Sequence, residues 1–188
     1  MQRFHSPSRW SAAALAVALL SVAFDAAALD GYRDRRGAFM GLAVGGGAAV
    51  RDGEVGGEAG AGFQLGGGAA KWLTISLDAD LRMQHVDGFT DWMFVPGPQL
   101  DVFILNALFV SAGVGVAFVF PDDDRAKGDA LKTEDDFVMG LDAMVGIGYE
   151  FFVGSDVAID IGIEGDYFAL ADSDDALSVG FWLGFRYY

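Results

Sequence analysis

The chain has 188 residues, enough for one domain, and combines 53% hydrophobic residues with 21% charged residues. Its formal net charge of −15 argues against nucleic-acid binding, because that function needs basic residues to neutralise phosphates. There is no cysteine, which excludes disulfides and thiolate metal sites. After residue 28, the apolar run 110–121 is too short for a membrane helix but long enough for a tilted membrane strand.

The first 28 residues have the features of a secretory signal. Arg3 and Arg9 give a positive start, residues 11–24 are apolar, and the alanines at 26–28 offer a cleavage site. We predict that residues 1–28 are a signal peptide cleaved after Ala28; the alternative is a retained membrane anchor. Cleavage would leave 10 basic and 26 acidic residues, a formal charge of −16.

Residues 29–37 are short and polar, and they contain Arg33, Arg35 and Arg36. We predict a flexible periplasmic N-terminal segment that leads into the barrel. Its arginines are either solvated or in contact with anionic lipid head groups.

The clearest structural signal is the strict alternation of apolar and polar residues over 71–83. Alternation predicts a strand, because successive side chains of a strand point to opposite faces. Similar patterns recur seven more times after residue 37. The predicted strands are 38–50, 57–66, 71–83, 92–103, 108–120, 137–150, 157–167 and 177–187.

The predicted connections alternate in length. Loops are expected at 51–56, 84–91, 121–136 and 168–176, and tight turns are expected at 66–68, 104–107 and 151–156. The fourth strand has the weakest pattern, because Pro96 and Pro98 each lack a backbone donor. A bulge, or a start delayed to Pro98, would accommodate these prolines.

The eight patterns predict an all-β fold, an eight-stranded antiparallel up-and-down transmembrane barrel. The apolar face stays apolar along whole strands, as lipid contact demands, whereas the opposite face is small and charged. A glycine-rich inner face also suits a narrow barrel. The alternative is a lipocalin-like soluble barrel with its apolar face inside. Aromatic residues near the strand ends are consistent with two girdles at the lipid interfaces.

The chain ends in Phe185-Arg186-Tyr187-Tyr188. Together with the signal segment and eight strands, this ending resembles the small outer-membrane barrels of Gram-negative bacteria, namely the OmpA-like, OmpX-like and OmpW-like proteins. The resemblance implies that residues 38–188 form a barrel in the cell outer membrane, in contact with its lipids. It also implies recognition by the barrel-assembly machinery, with Phe185, Tyr187 and Tyr188 as the assembly signal. The alternating apolar set ends at Tyr187, one residue before the end.

The inward face carries many acids and two arginines. Its charged residues are Glu58, Asp78, Asp80, Arg82, Asp101, Asp142, Glu150, Asp160, Glu164, Asp166 and Arg186. Unpaired carboxylates are costly in a narrow interior, so we predict an ion-pair network organised around Arg82 and Arg186. The alternative is a cation site or a cation-selective path lined by Asp78, Asp80, Asp160 and Glu164. No spaced metal-binding motif is present, and no metal or other cofactor is expected.

The sequence does not predict an enzymatic activity. His85 is the single histidine after residue 28 and falls in a predicted loop, while Ser76 and Ser111 have no evident base nearby in sequence. The acidic segment 121–136 is either solvated or in contact with a cationic partner or divalent cations. The predicted function is therefore a monomeric structural barrel or surface scaffold. A narrow channel for small solutes or cations is the first alternative, and a lipid-modifying enzyme is the second.

Overall fold

The computed structural model describes residues 34–120, 138–153, 155–171 and 175–188, which form one closed antiparallel barrel. Each strand pairs with its neighbours in sequence, and β1 pairs with β8 to close the sheet. The strands are β1 Gly37–Arg51, β2 Glu54–Ala70, β3 Leu73–Val86, β4 Phe89–Phe103, β5 Leu108–Phe120, β6 Val138–Phe152, β7 Val157–Leu170 and β8 Ala176–Tyr187. The predicted fold class is thus confirmed. Within the described residues, no helix has the length and apolar character to span a membrane.

The barrel has two distinct ends. We call the end with Gly37, Tyr187 and the turns after β2, β4 and β6 the terminal end, and the opposite end the distal end. The predicted signal peptide 1–28 and the acidic segment 121–136 fall outside the described residues.

Two of the four distal connections are tight turns rather than the predicted loops at 51–56 and 84–91. Asp52-Gly53 joins β1 to β2, and Asp87-Gly88 joins β3 to β4. All four residues have positive φ, between 51° and 81°. Asp-Gly is a preferred pair for the two-residue hairpin turn whose twist matches the flanking strands, and this local signal outweighs the polarity of the surrounding residues.

The glycines at 66–68, predicted as a turn, lie inside β2. They pair with β1 on one side and with β3 on the other, and the chain turns only at 71–72. A Cβ atom built on Gly66 would lie 2.5 Å from the Ile75 carbonyl oxygen and 2.7 Å from the Phe39 ring. Glycine here permits close packing of the barrel wall and does not mark a chain reversal.

Strand β4 is regular through both prolines, contrary to the predicted bulge or late start. Its register with β3 is unbroken from Val86 to Leu73. Its pairing with β5 is interrupted over residues 95–98 and resumes without a register shift. The donors missing at Pro96 and Pro98 therefore fall on the β5 side, and the ladder to β3 holds the strand in place.

The apolar face of every strand points outward, as predicted. Leu42, Leu77, Leu141 and Phe181 are each more than 60% exposed, and their neighbours along the outer face are also large and apolar. Such an exterior is the lipid-facing surface of a membrane barrel, in which closure of the sheet pairs every backbone group and leaves no free edge. The alternative of a soluble, lipocalin-like barrel is therefore wrong.

Inside the distal end lies an apolar cluster, which we call the distal plug. It consists of Met93, Val95, Ala117, Val119, Phe168, Leu170 and Ala176, with Val138 packed against it. Phe168 and Leu170 were expected in a loop at 168–176, but β7 extends to Leu170. The distal plug fills the distal part of the lumen with apolar side chains, whereas charged and aromatic residues line the rest.

Candidate functional site: a charge network in the lumen

The structure places the nine predicted network residues in the lumen. They are Asp78, Asp80, Arg82, Asp101, Asp142, Asp160, Glu164, Asp166 and Arg186. Strand periodicity puts them there, because each has the parity opposite to the lipid-facing residues of its own strand.

Arg82 on β3 is the centre of the distal half of the network. Its guanidinium lies 2.8 Å from Asp166, 3.2 Å from Asp80, 3.3 Å from Glu164 and 3.4 Å from Glu58. Its side chain is 6% exposed. One buried cation thus contacts four carboxylates from three strands, in the low-dielectric setting where such contacts are strong and their loss is costly.

Arg186 on β8 is the centre of the half of the network that lies nearer the terminal end. It lies 2.8 Å from Asp101 and 2.8 Å from Asp160. Asp101 is further held by donors on its neighbours, since Ser111 Oγ and Gln99 Nε2 each donate to its Oδ1 over 2.8 Å. This carboxylate is buried, paired and hydrogen-bonded, which fixes the height of Arg186 in the lumen.

A third arginine, Arg35, closes the terminal end. It is fully buried, 2.6 Å from Glu150, and its guanidinium stacks 3.6 Å over the Phe103 ring. It also donates to the backbone carbonyls of Lys71 and Asn106 in two adjacent turns. The interpretation of Arg35 as solvated or bound to lipid head groups is therefore wrong, although Arg36 is exposed.

The fourth inward arginine, Arg51, lies at the distal end. It pairs with Asp91 and donates to Gln84, whose amide donates over 2.6 Å to Glu58. Sequence reasoning missed Arg51 because it was assigned to a loop. Parity could have found both arginines, since Arg35 and Arg51 are an even number of residues from the inward-facing Phe39.

The two arginine centres are separated by a cavity of about 90 Å³, lined by Gln64, Asp78, Glu164 and Trp182 among others. A smaller cavity of about 20 Å³ adjoins Asp78 and Asp142. Polar cavities of this size hold water. In the described ranges, no group of three or more histidine, aspartate or glutamate side chains is arranged to hold a metal ion.

The candidate catalytic residues do not come together. His85 lies on β3 rather than in a loop, is exposed, and its Nδ1 is 2.9 Å from Thr90 Oγ1. Ser76 and Ser111 are buried on the lumen side of the wall. The histidine and both serines are therefore on opposite faces of the sheet.

The aromatic residues of the predicted assembly signal divide between two faces. Phe185 and Tyr187 face outward, at about half exposure. Tyr188 instead packs inward against Phe39, and its hydroxyl donates to Glu150 Oε2 over 2.5 Å. The lipid-facing set thus ends at Tyr187, and the recognition role of these residues remains a prediction.

We expect Gly68→Ala to release the segment that carries Arg35. A Cβ atom on Gly68 would overlap the backbone carbonyl of Arg35, and Arg36 forms a parallel bridge with Gly68. Limited trypsin digestion of the folded barrel should then cleave after Arg35 at least tenfold faster than in the unaltered protein. Gly67→Ala is the matched control, because its Cβ would meet only the Gly37 carbonyl at 3.2 Å. Equal cleavage in both variants would show that the segment is not held at Gly68.

No family model matches this sequence, and no curated protein matches it. Several solved structures are similar. Neisserial surface protein A shares 15% identity, with 81% of this chain and 99% of that one covered at a TM-score of 0.61. The N-terminal β-barrel domain of Pseudomonas aeruginosa OprF shares 9% sequence identity, and the match covers 82% of this chain and 100% of that one at a TM-score of 0.50. The outer membrane enzyme PagL shares 16% sequence identity, and the match covers 77% of this chain and 97% of that one at a TM-score of 0.50. At these identities the likeness establishes the fold, that of the small eight-stranded outer-membrane barrels.

Proposed function

We propose that this chain is an integral outer-membrane barrel with a structural or surface-scaffold role, and that its lumen does not conduct. The fold and the apolar outer surface support an outer-membrane location, with the terminal end toward the periplasm. The observation that carries the proposal is that packed side chains occupy the lumen at both ends of the central cavity.

The terminal seal is aromatic and ionic. Phe103 and Phe109 are buried, with ring centroids 5.1 Å apart, and Arg35 lies over Phe103. The Arg35–Glu150 pair and the Tyr188 hydroxyl complete this layer. A solute entering from this end would have to break a buried ion pair, which leaves an uncompensated charge and costs about 3–5 kcal/mol.

The distal seal is apolar. Met93 and Phe168 are each 0% exposed within the distal plug. Beneath them, the Arg82 guanidinium lies 5.8 Å from the Phe168 ring and ties β3 to β7 through Asp166. A hydrated ion entering from this end would lose its water against packed apolar side chains, which is unfavourable without polar replacements.

The alternative function is a narrow channel, and the carboxylates that line the central cavity are the observation in its favour. Planar-bilayer recording separates the two functions. We expect no steady unitary current from purified barrel whose insertion is verified by a heat-dependent shift in gel migration. Reproducible unitary currents with cation selectivity would instead establish the channel.

For the scaffold role we propose partner contacts at the distal end, where β5 ends at Phe120 and β6 begins at Val138. We propose that segment 121–136, with seven acids and three bases, presents negative charge to cationic partners or divalent cations at the cell surface. A lipid-modifying activity has weaker support, because the described serines and His85 lie on opposite faces of the wall.

A further inference from the structure

Two lumen carboxylates have no cationic side chain within ion-pair distance among the described residues. Asp142 on β6 is only 7% exposed, and its Oδ1 accepts no hydrogen bond. Asp78 on β3 has a similarly unsatisfied Oδ1, while its Oδ2 accepts from Gln64 Nε2 over 3.2 Å. Both residues line the cavity of about 20 Å³, together with Asp80 and Arg82, and Asp78 also lines the larger cavity beside it.

These two residues belong to a wider charge excess. The described part of the lumen contains ten carboxylates and four arginines. The carboxylates are Glu58, Asp78, Asp80, Asp91, Asp101, Asp142, Glu150, Asp160, Glu164 and Asp166, and the arginines are Arg35, Arg51, Arg82 and Arg186. An ionised carboxylate without a partner is costly in such an interior, so the excess needs a bound cation or bound protons.

We propose that the paired cavities bind one hydrated divalent cation of the magnesium type, held by Asp78 and Asp142. Magnesium keeps several of its waters and is commonly bound through one or two carboxylates, whereas calcium takes six to eight oxygen ligands. The described residues provide no group of three or more acidic or histidine ligands, and this disfavours a cage around a bare ion. The larger cavity, of about 90 Å³, has room beside Asp78 for water molecules that the bound magnesium ion retains.

The test uses the refolded full barrel in detergent after removal of metals with EDTA. Melting is followed while MgCl₂ is raised at constant ionic strength, balanced with NaCl. We expect a saturable rise in melting temperature, on the order of 5 °C when magnesium exceeds Kd by 100-fold. Atomic absorption after gel filtration should find about one magnesium per chain. Asp78→Asn and Asp142→Asn should each abolish the rise and the stoichiometric magnesium.

The control is Glu54→Gln, which removes an exposed acid beside the Asp52-Gly53 turn and should leave the magnesium response unchanged. In EDTA, Asp142→Asn should melt above the unaltered protein, because it removes an uncompensated charge; this readout confirms that the variant folds. A magnesium response retained in the Asp78→Asn/Asp142→Asn double variant would place binding elsewhere, as in segment 121–136, and overturn the proposal. No magnesium response in the unaltered barrel would overturn it as well, in favour of protons as the compensating charge.

Discussion

We expect Arg82→Met to lower the free energy of unfolding by about 3–5 kcal/mol. Methionine fills much of the arginine volume, but it leaves Glu58, Asp80, Glu164 and Asp166 facing one another without their shared cation. Urea titration of the folded barrel, followed by tryptophan fluorescence, measures the change. A loss below about 1 kcal/mol would mean that these acids do not depend on Arg82 for compensation, and that the network has another centre.

The matched control is Arg36→Met. Arg36 also forms a close ion pair, 2.5 Å from Asp34, but both side chains are about half exposed. The hydrogen bond from Arg36 holds the pKa of the Asp34 carboxyl well below its usual range, yet water screens this pair. Exposed pairs contribute little to stability, so the same substitution should leave the unfolding midpoint nearly unchanged.

Periodicity alone predicted most of this fold. The alternation that begins at Leu73 sets which side chains meet lipid, and the same rule predicts that Asp101, Asp160 and Arg186 point inward. Period-two patterns are reliable here because a one-residue slip would expose a charged set to hydrocarbon. The number of strands and the orientation of their faces follow from this constraint.

Pairing across the lumen could not be predicted in this way. Arg82 on β3 meets Glu164 and Asp166 on β7 because the tilt and stagger of the strands bring these positions to one height. Alternation gives the side of the wall on which a residue lies, but it does not give its height along the barrel axis. The predicted list of inward charged residues therefore carried no information on which acid each arginine contacts.

The errors at the strand ends have a common cause. Composition made residues 51–56 and 168–176 look like loops, whereas the strands continue through Arg51 and Leu170. At the first site the Asp-Gly turn was short enough to keep Arg51 in the ladder, and at the second Phe168 and Leu170 enter the distal plug. The first error hid an arginine of the charge network and the second hid two residues of the distal plug, so the sequence did not reveal that apolar side chains fill the distal part of the lumen.

The closing seam between β1 and β8 depends on a glycine, and we expect Gly47→Ala to prevent closure in most molecules. A Cβ atom on Gly47 would overlap the Val179 carbonyl oxygen and the Gly180 Cα, which are backbone atoms of β8 that cannot rotate away. The strands would have to separate where the sheet becomes a barrel, exposing unpaired backbone groups to hydrocarbon at several kcal/mol each. The expected result is loss of the heat-modifiable, fast-migrating band after refolding into detergent.

Gly57→Ala is the control, because it makes the same chemical change on the adjoining strand. Gly57 pairs with Ala48, one residue from Gly47, and a Cβ atom there would meet nothing within 4 Å. Replacing glycine with alanine in a strand otherwise gains about 0.5–1 kcal/mol, so this variant should fold at least as well as the unaltered chain. If both variants refold equally, the β1–β8 seam has enough freedom to admit a methyl group, and close approach at Gly47 is not what closure requires.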